Sequence, residues 1–253
     1  MKKTLFVVAL LSAYVSHAQE KIIFLNENGK TVNEKQAVIL EQHRKLNDTL
    51  WETNLYFLNG PRSVSMQSTD EEATELNGRY IAYDRKGFSD TIGTYVHGHK
   101  EGPWMIMTQK GRLLRELIYS NDKLIAKKDS AQVNEEEEKL KDSLFHGKAI
   151  VETESGFPGG QDGWMQYMNT HLKYPDRAFD RGVQGTAILA FRIEQDGHID
   201  PMNIYVDRSV EYSIDQESLK LIAGCPPWTP AVQDGRQVKS YRKQPFVFTF
   251  SRK

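Results

Sequence analysis

The sequence predicts two joined folds. An all-β hairpin-repeat domain fills the first half, and an α+β domain, with helices on a three-stranded antiparallel sheet, fills the second. Three observations lead there. The block Gly78 to Gly87 aligns on Gly102 to Gly111 at an offset of 24, with both Lys-Gly ends in register. Residues 157–250 switch between helical and strand periodicity, with Gly and Pro marking each change. Between these regions, residues 126–150 carry charge in place of periodicity.

Taken in order, residues 1–18 read as a secretory signal peptide. Lys2 and Lys3 precede an apolar run from Leu5 to Val15, and Ser16-His17-Ala18 is a small-x-small cleavage site, so the mature chain is expected to begin near Gln19. Eleven residues of helix reach roughly 16 Å against a hydrocarbon core of about 30 Å, too short to span. No cysteine follows the run, which argues against lipoprotein processing. A periplasmic protein with no transmembrane segment after cleavage is expected. Without Lys2 and Lys3 the chain has 31 basic and 34 acidic residues, a net charge of −3, and no basic run that would mark a nucleic-acid partner. The single cysteine, Cys225, excludes an internal disulfide. With no His, Lys or Arg beside it, Cys225 is expected to pack as a small hydrophobe.

Residues 19–125 form the repeat domain. The same offset that aligns the two blocks carries Tyr95 onto Tyr119 and Tyr56 onto Tyr80. The repeated unit is a strand, a Gly turn and a second strand, with aromatic residues two places after the Gly filling the face between hairpins. Phe24 to Lys30 and Tyr56 to Gly60 read as degenerate first hairpins, with a helical interruption expected from Asn33 to Asn47. Residues 126–150 form a charged linker able to adopt a solvated helix, with Lys139 four residues after Glu135.

Residues 151–253 form the second domain. Trp164, Tyr167, Met168 and Leu172 share a helical face, and Tyr174-Pro175 stops that helix. Strands follow over Thr186–Glu194 and Ile199–Arg208, joined by the turn Gln195-Asp196-Gly197-His198. Ser213 is expected to cap a helix that turns Leu219, Ile222 and Ala223 inward. Pro226-Pro227 ends it. A last strand, Gln237–Phe250, alternates Phe246, Phe248 and Phe250 with Val247 and Thr249.

Little in the sequence points to catalysis. It contains no zincin motif, nucleophile elbow, P-loop or dinucleotide fingerprint. His97 and His99 could share a strand face, with Glu101 as a third ligand, yet their glycine-rich setting is that of a repeat turn. Asp196 and Asp200 straddle a hairpin turn without the pocket that acid–base work needs. Phe157-Pro158-Gly159-Gly160 could cradle an anion, but Asp162 opposes one. No cofactor or metal is expected, and the chain is read as a non-enzyme.

The order of FPGG, a helix, LKYP, a Gly-x-Ala-x-Leu strand, the QDGHI hairpin, a short helix, Pro-x-Trp-Thr-Pro, an Asp-Gly turn and an aromatic strand resembles the TonB C-terminal domain over residues 157–250. Residues 21–125, with Lys100-Glu101-Gly102-x-Trp104 well kept, resemble MORN-like repeats. In the TonB family, an edge strand pairs with the TonB-box segment of an outer-membrane receptor, by strand addition. Carried onto this chain, the resemblance places partner binding on Gln237, Val238, Lys239, Ser240, Tyr241, Arg242, Lys243 and Gln244, with Pro245 suited to an edge. It implies a protein partner, a receptor peptide, in support of receptor-mediated transport. Two alternatives accompany this expectation. One is an envelope scaffold whose repeats recognise a partner while the C-terminal domain dimerises. The other is an inner-membrane energy transducer, which would require an uncleaved leader. A full transducer is expected to have a proline-rich spacer, and residues 114–151 contain no proline.

Overall fold

The structure is a computed structural model that describes residues 20–109, 111–145 and 152–250. The expected leader and residues 146–151 lie outside them. Nine strands come first: β1 (Glu20–Leu25), β2 (Ile39–Asn47), β3 (Leu50–Phe57), β4 (Arg62–Ser68), β5 (Leu76–Tyr83), β6 (Ser89–Val96), β7 (His99–Met107), β8 (Leu113–Ser120) and β9 (Lys123–Asp129). They form one antiparallel meander in chain order. The expected helix over Asn33–Asn47 is absent. A short 3-10 turn covers Glu34–Gln36, and the rest is β2, paired with both β1 and β3. Alternation explains the difference: Leu40 and Gln42 are buried toward the second domain, and tertiary pairing overrides the helical preference of the Glu-Gln-Lys-rich segment.

Each 24-residue period corresponds to one hairpin, β5-β6 and then β7-β8. Gly78 lies opposite Tyr95, and Gly102 opposite Tyr119. On the outer face Tyr80, Tyr95, Trp104 and Tyr119 form a ring cluster with centroids 5.2–6.0 Å apart. Trp104 lies flat over Gly93, where an added Cβ would come 2.2 Å from the indole. Only glycine lets that ring cross the neighbouring strand.

The charged segment becomes α1 (Ser130–Phe145). Asp129 and Gln132 exchange backbone-to-side-chain hydrogen bonds of 2.9 Å each, a capping box that starts the helix. Glu135 and Lys139 pair at 2.7 Å as their spacing predicts. Lys128 bridges Glu116 and Glu136, tying α1 back to the last hairpin.

The second unit contains β10 (Glu152–Thr153), α2 (Gly160–His171), α3 (Asp176–Asp180), β11 (Gly185–Ile193), β12 (Ile199–Arg208), α4 (Tyr212–Ala223), β13 (Ala231–Gln233), β14 (Arg236–Val238) and β15 (Ser240–Phe248). One three-stranded sheet has the order β12-β11-β15, and a second, smaller one β10-β13-β14. The helices cover one face of the first sheet. Leu189, Phe191, Val206, Ile222, Phe246 and Phe248 form its core, with Trp164, Tyr167 and Met168 packed on it. The helix cap differs from expectation. Glu211 accepts the N–H of Ser213 at 2.8 Å, so α4 begins two residues earlier, and Ala223 at its end is exposed. A carboxylate reaches the helix N-terminus with a full negative charge where a hydroxyl has only a dipole.

The two units pack together at a buried polar seam. Arg62, 2% exposed, donates through Nε to the Tyr56 hydroxyl at 3.0 Å, and its Nε is 3.9 Å from the carboxylate of Asp215 on α4. Ser209 donates to Asp215 at 2.5 Å and accepts from the Arg62 backbone at 2.8 Å. Arg177 pairs with both Glu34 and Glu211. Burial pushes the Asp215 carboxyl up to about 6, against the pull of Arg62 and its hydrogen bonds. Burial also opposes ionisation of Glu52, but Arg44, Arg62 and Arg79 outweigh it and hold Glu52 at about 2.

Candidate partner-binding edge

A three-stranded sheet has two free edges, and here they have different fates. The array closes the β12 edge. Tyr83 donates its hydroxyl to the Val206 carbonyl at 2.6 Å, and Arg79 donates to the Ile204 carbonyl at 3.1 Å. Phe88 bridges Arg208, and the Ser209 N–H reaches the Gly87 carbonyl at 2.8 Å. Carbonyls that would template a foreign strand are thus bonded within the chain. β15 pairs with β11 alone, from Gly185 opposite Phe248 to Ile193 opposite Ser240. Its other side has no strand neighbour among the described residues.

The eight residues expected to bind a partner do not form one strand. Gln237 and Val238 belong to β14, opposite Val232 and Ala231, and Lys239 links the two strands. Ser240, Tyr241, Arg242, Lys243 and Gln244 lie on β15, opposite Ile193, Arg192, Phe191, Ala190 and Leu189. The expected strand Gln237–Phe250 is therefore divided at Lys239 and stops at Phe248. The cause lies at Asp234 and Gly235, both with positive φ (48° and 75°). They fold β14 tightly back onto β13, and the chain must then change partner to reach β11.

Side chains alternate along β15. Phe246 and Phe248 point into the core, while Tyr241, Lys243, Pro245 and Val247 are exposed on the opposite face. Tyr241 is 71% exposed. The cations are held in place: Lys239 on Glu194 at 2.8 Å, Lys243 on Asp207 at 2.8 Å, and Arg242 on Glu154 at 3.3 Å. The Lys239 hydrogen bond holds the Glu194 carboxyl below its usual range. Edge lysines and a proline discourage indiscriminate pairing while leaving the ribbon open. Beside its first residues a cleft of about 250 Å³ opens, lined by Thr153, Ser155, Val232, Val238 and Tyr241. Ser155 accepts from Ser240 at 2.9 Å and from Arg242 at 3.1 Å. Sequence reasoning missed this cleft, because Thr153 and Ser155 lie some 85 residues before β15 and carry no motif.

The other candidates are separated from one another. His97, with φ 48°, faces Glu75 at 3.1 Å, while His99 faces Asp122 at 2.6 Å. Among the described residues no group of three His, Cys, Asp or Glu side chains converges as metal ligands do. Asp196 takes the His198 N–H at 3.0 Å, and Asp200 takes Met202 N–H at 3.0 Å and Asn203 at 2.7 Å. Both carboxyls are lowered, by the His198 backbone at Asp196 and, against burial, by Asn203 at Asp200. Gly159 opens α2 with φ 78°, Asp162 lies in its first turn, and His171 stacks on Tyr167 at 4.3 Å. Cys225 lies half-buried, its thiol directed to the Leu221 carbonyl at 3.4 Å, and burial pushes it up to about 11.

No curated protein and no solved structure matches the chain. Residues 170–250 match the family described as Gram-negative bacterial TonB protein C-terminal. The array lies outside that match, and the expected resemblance to MORN-like repeats has no family support. The unit built on the β12-β11-β15 sheet is thus similar to a family of non-catalytic protein-interaction domains.

Proposed function

We propose that this chain is a non-enzymatic, TonB-related protein of the Gram-negative envelope that captures an extended peptide on the outer side of β15. The partner in this reading is the TonB-box segment of an outer-membrane receptor, and the protein works in the periplasm in support of that receptor. The observation behind it is the asymmetry of the two edges of that sheet: the array occupies β12, and among the described residues nothing adds a strand to β15. Main-chain hydrogen bonds would supply affinity, and the cleft beside Val238 and Tyr241 would select a side chain. Val238 and Lys239 then act through that cleft, whose lining does not include Gln237, and residues 240–244 through the ladder. No helix among the described residues is long and apolar enough to cross a membrane.

Titrating the protein into a fluorescent TonB-box peptide tests this reading by anisotropy. Saturable binding is expected, weakened several-fold by Tyr241→Ala. A peptide N-methylated at alternate residues should not bind, since it lacks the ladder donors. Absence of binding at millimolar peptide, or equal binding of the N-methylated peptide, overturns the reading. The half-open ring face of Tyr80, Tyr95 and Tyr119 favours a second reading, a scaffold that recognises its partner through the array. Deleting residues 21–125 would then remove partner capture, and the peptide would not bind.

A further inference from the structure

A separate cleft of about 420 Å³ lies at the seam between the array and the second unit, on the β12 side of the sheet. Its walls come from four elements: the start of β1, the end of β2, the first half of β12, and α4. Gln216, Leu219, Lys220 and Ala223 all line it. Their i, i+3, i+4, i+7 spacing places one stripe of α4 against the opening. The floor is apolar, with Leu46, Met202, Ile204, Leu219 and Ala223.

The rim is cationic. Arg44, Lys45 and Lys220 line it against a single carboxylate, Glu20. That carboxylate already accepts from the Tyr212 hydroxyl at 2.6 Å and from Gln42 at 2.8 Å. Arg44 gives Nη2 to Glu52 at 2.7 Å and leaves its buried Nε without a partner. Lys45 reaches the fully exposed Asp48 only at 3.6 Å. Lys220 forms no ion pair among the described residues. It lies in the last turn of α4, among the residues that line the cleft.

Among the described residues no aromatic ring lines the cleft, which disfavours nucleobases and sugars that bind by stacking. An apolar floor with a few polar groups at one end, at a seam between units, is the usual form of a small-molecule site. At about 30 Å³ per small group, as for water, the space holds roughly fourteen heavy atoms. We propose that this cleft binds an amphiphilic anion, an acidic head on an aliphatic chain of about a dozen carbons. Lys220, with Lys45 and Arg44, takes the head, and Met202, Ile204, Leu219 and Ala223 take the chain. A free fatty acid and the anionic end of a lipid share this chemistry. The inference is independent of peptide capture, since the cleft and β15 lie at opposite edges of the sheet.

Calorimetric titration of the full chain with dodecanoate, below its micelle concentration, tests it. One-to-one saturable binding is expected, with dodecyltrimethylammonium at least about tenfold weaker. Lys220→Glu should weaken dodecanoate about tenfold or more, and Ala223→Trp, an exposed position that would fill the cleft, should abolish it. Both variants should keep the far-ultraviolet circular dichroism of the parent. Flotation with vesicles of phosphatidylglycerol in phosphatidylcholine separates the sources. Flotation lost in Lys220→Glu assigns the lipid, and dodecanoate binding without flotation assigns the free acid; either supports the proposal. No saturable binding in either arm, equal binding of the cationic amphiphile, or binding unchanged in both variants overturns it.

Discussion

Replacing Arg62 by leucine would test whether the array and the second unit are one cooperative body. The guanidinium is almost wholly buried, and it reaches from β4 to the Tyr56 hydroxyl and the Asp215 carboxylate. Leucine keeps much of the apolar volume but leaves Asp215 as a buried acid whose nearest cation has gone. Breaking a buried pair by removing one partner costs about 3–5 kcal/mol. For a chain of this size that corresponds to a melting temperature lower by roughly 6–20 °C. Removing both partners, in Arg62→Leu with Asp215→Leu, deletes the stranded charge and should recover at least about 2 kcal/mol of the loss. Acid should help the single variant too. Without Arg62 the Asp215 carboxyl rises above its present value of about 6, so at pH 5 it takes up a proton and the deficit shrinks. Urea unfolding of the three proteins at pH 7 and pH 5, followed by tryptophan fluorescence, supplies the cycle. Additive losses, or a single-variant deficit identical at both pH values, would refute the buried-pair argument.

Further predictions concern the native chain and simpler variants. Asp215 binds its proton more tightly when folded, so its contribution is complete below about pH 4 and is lost as the pH rises through 6. From this group alone the protein should be on the order of 1 kcal/mol more stable at pH 5 than at pH 7, a difference that Asp215→Asn removes in urea midpoints. Glu52 acts in the opposite sense: its contribution is present above about pH 4.5 and is lost as the pH falls through 2. Gly93→Ala would drive a methyl into the Trp104 ring and should cost about 1–3 kcal/mol, with a red shift in tryptophan emission. Cys225, its thiol raised to about 11, should react slowly with a thiol-specific disulfide reagent at pH 8 and fast once urea unfolds the chain.

Much of the fold was legible because its signals are local. The hairpin Thr186–Arg208 follows from alternation around Asp196-Gly197, and the strand bounds Ile199–Arg208 agree with the structure. The aromatic pairing of neighbouring hairpins was visible in the 24-residue offset, since register repeats whenever the unit does. The last strand was correctly read as an edge, and Pro245 was the residue that said so. Short-range rules misled where partners were distant. Residues 39–47 have helix-forming composition yet become a strand between two others, and Glu211 displaced Ser213 as the cap of α4. Gln237 and Val238 read as part of the last strand, and only the pairing with β13 detaches them.

By itself the amino-acid order determined most of the elements, the repeat and the kind of sheet on which a partner strand could be laid, because period, turn chemistry and proline act over a few residues. Tertiary structure alone decided which of the sheet's two edges stays open, where the seam cleft forms, and why Arg62 and Asp215 are buried together. Those features join groups more than a hundred residues apart, such as the Tyr83 side chain with the Val206 carbonyl and Arg79 with the Ile204 carbonyl. No pattern along the chain encodes such meetings. They arise when two surfaces, each half-satisfied by itself, bury their remaining donors and acceptors against one another.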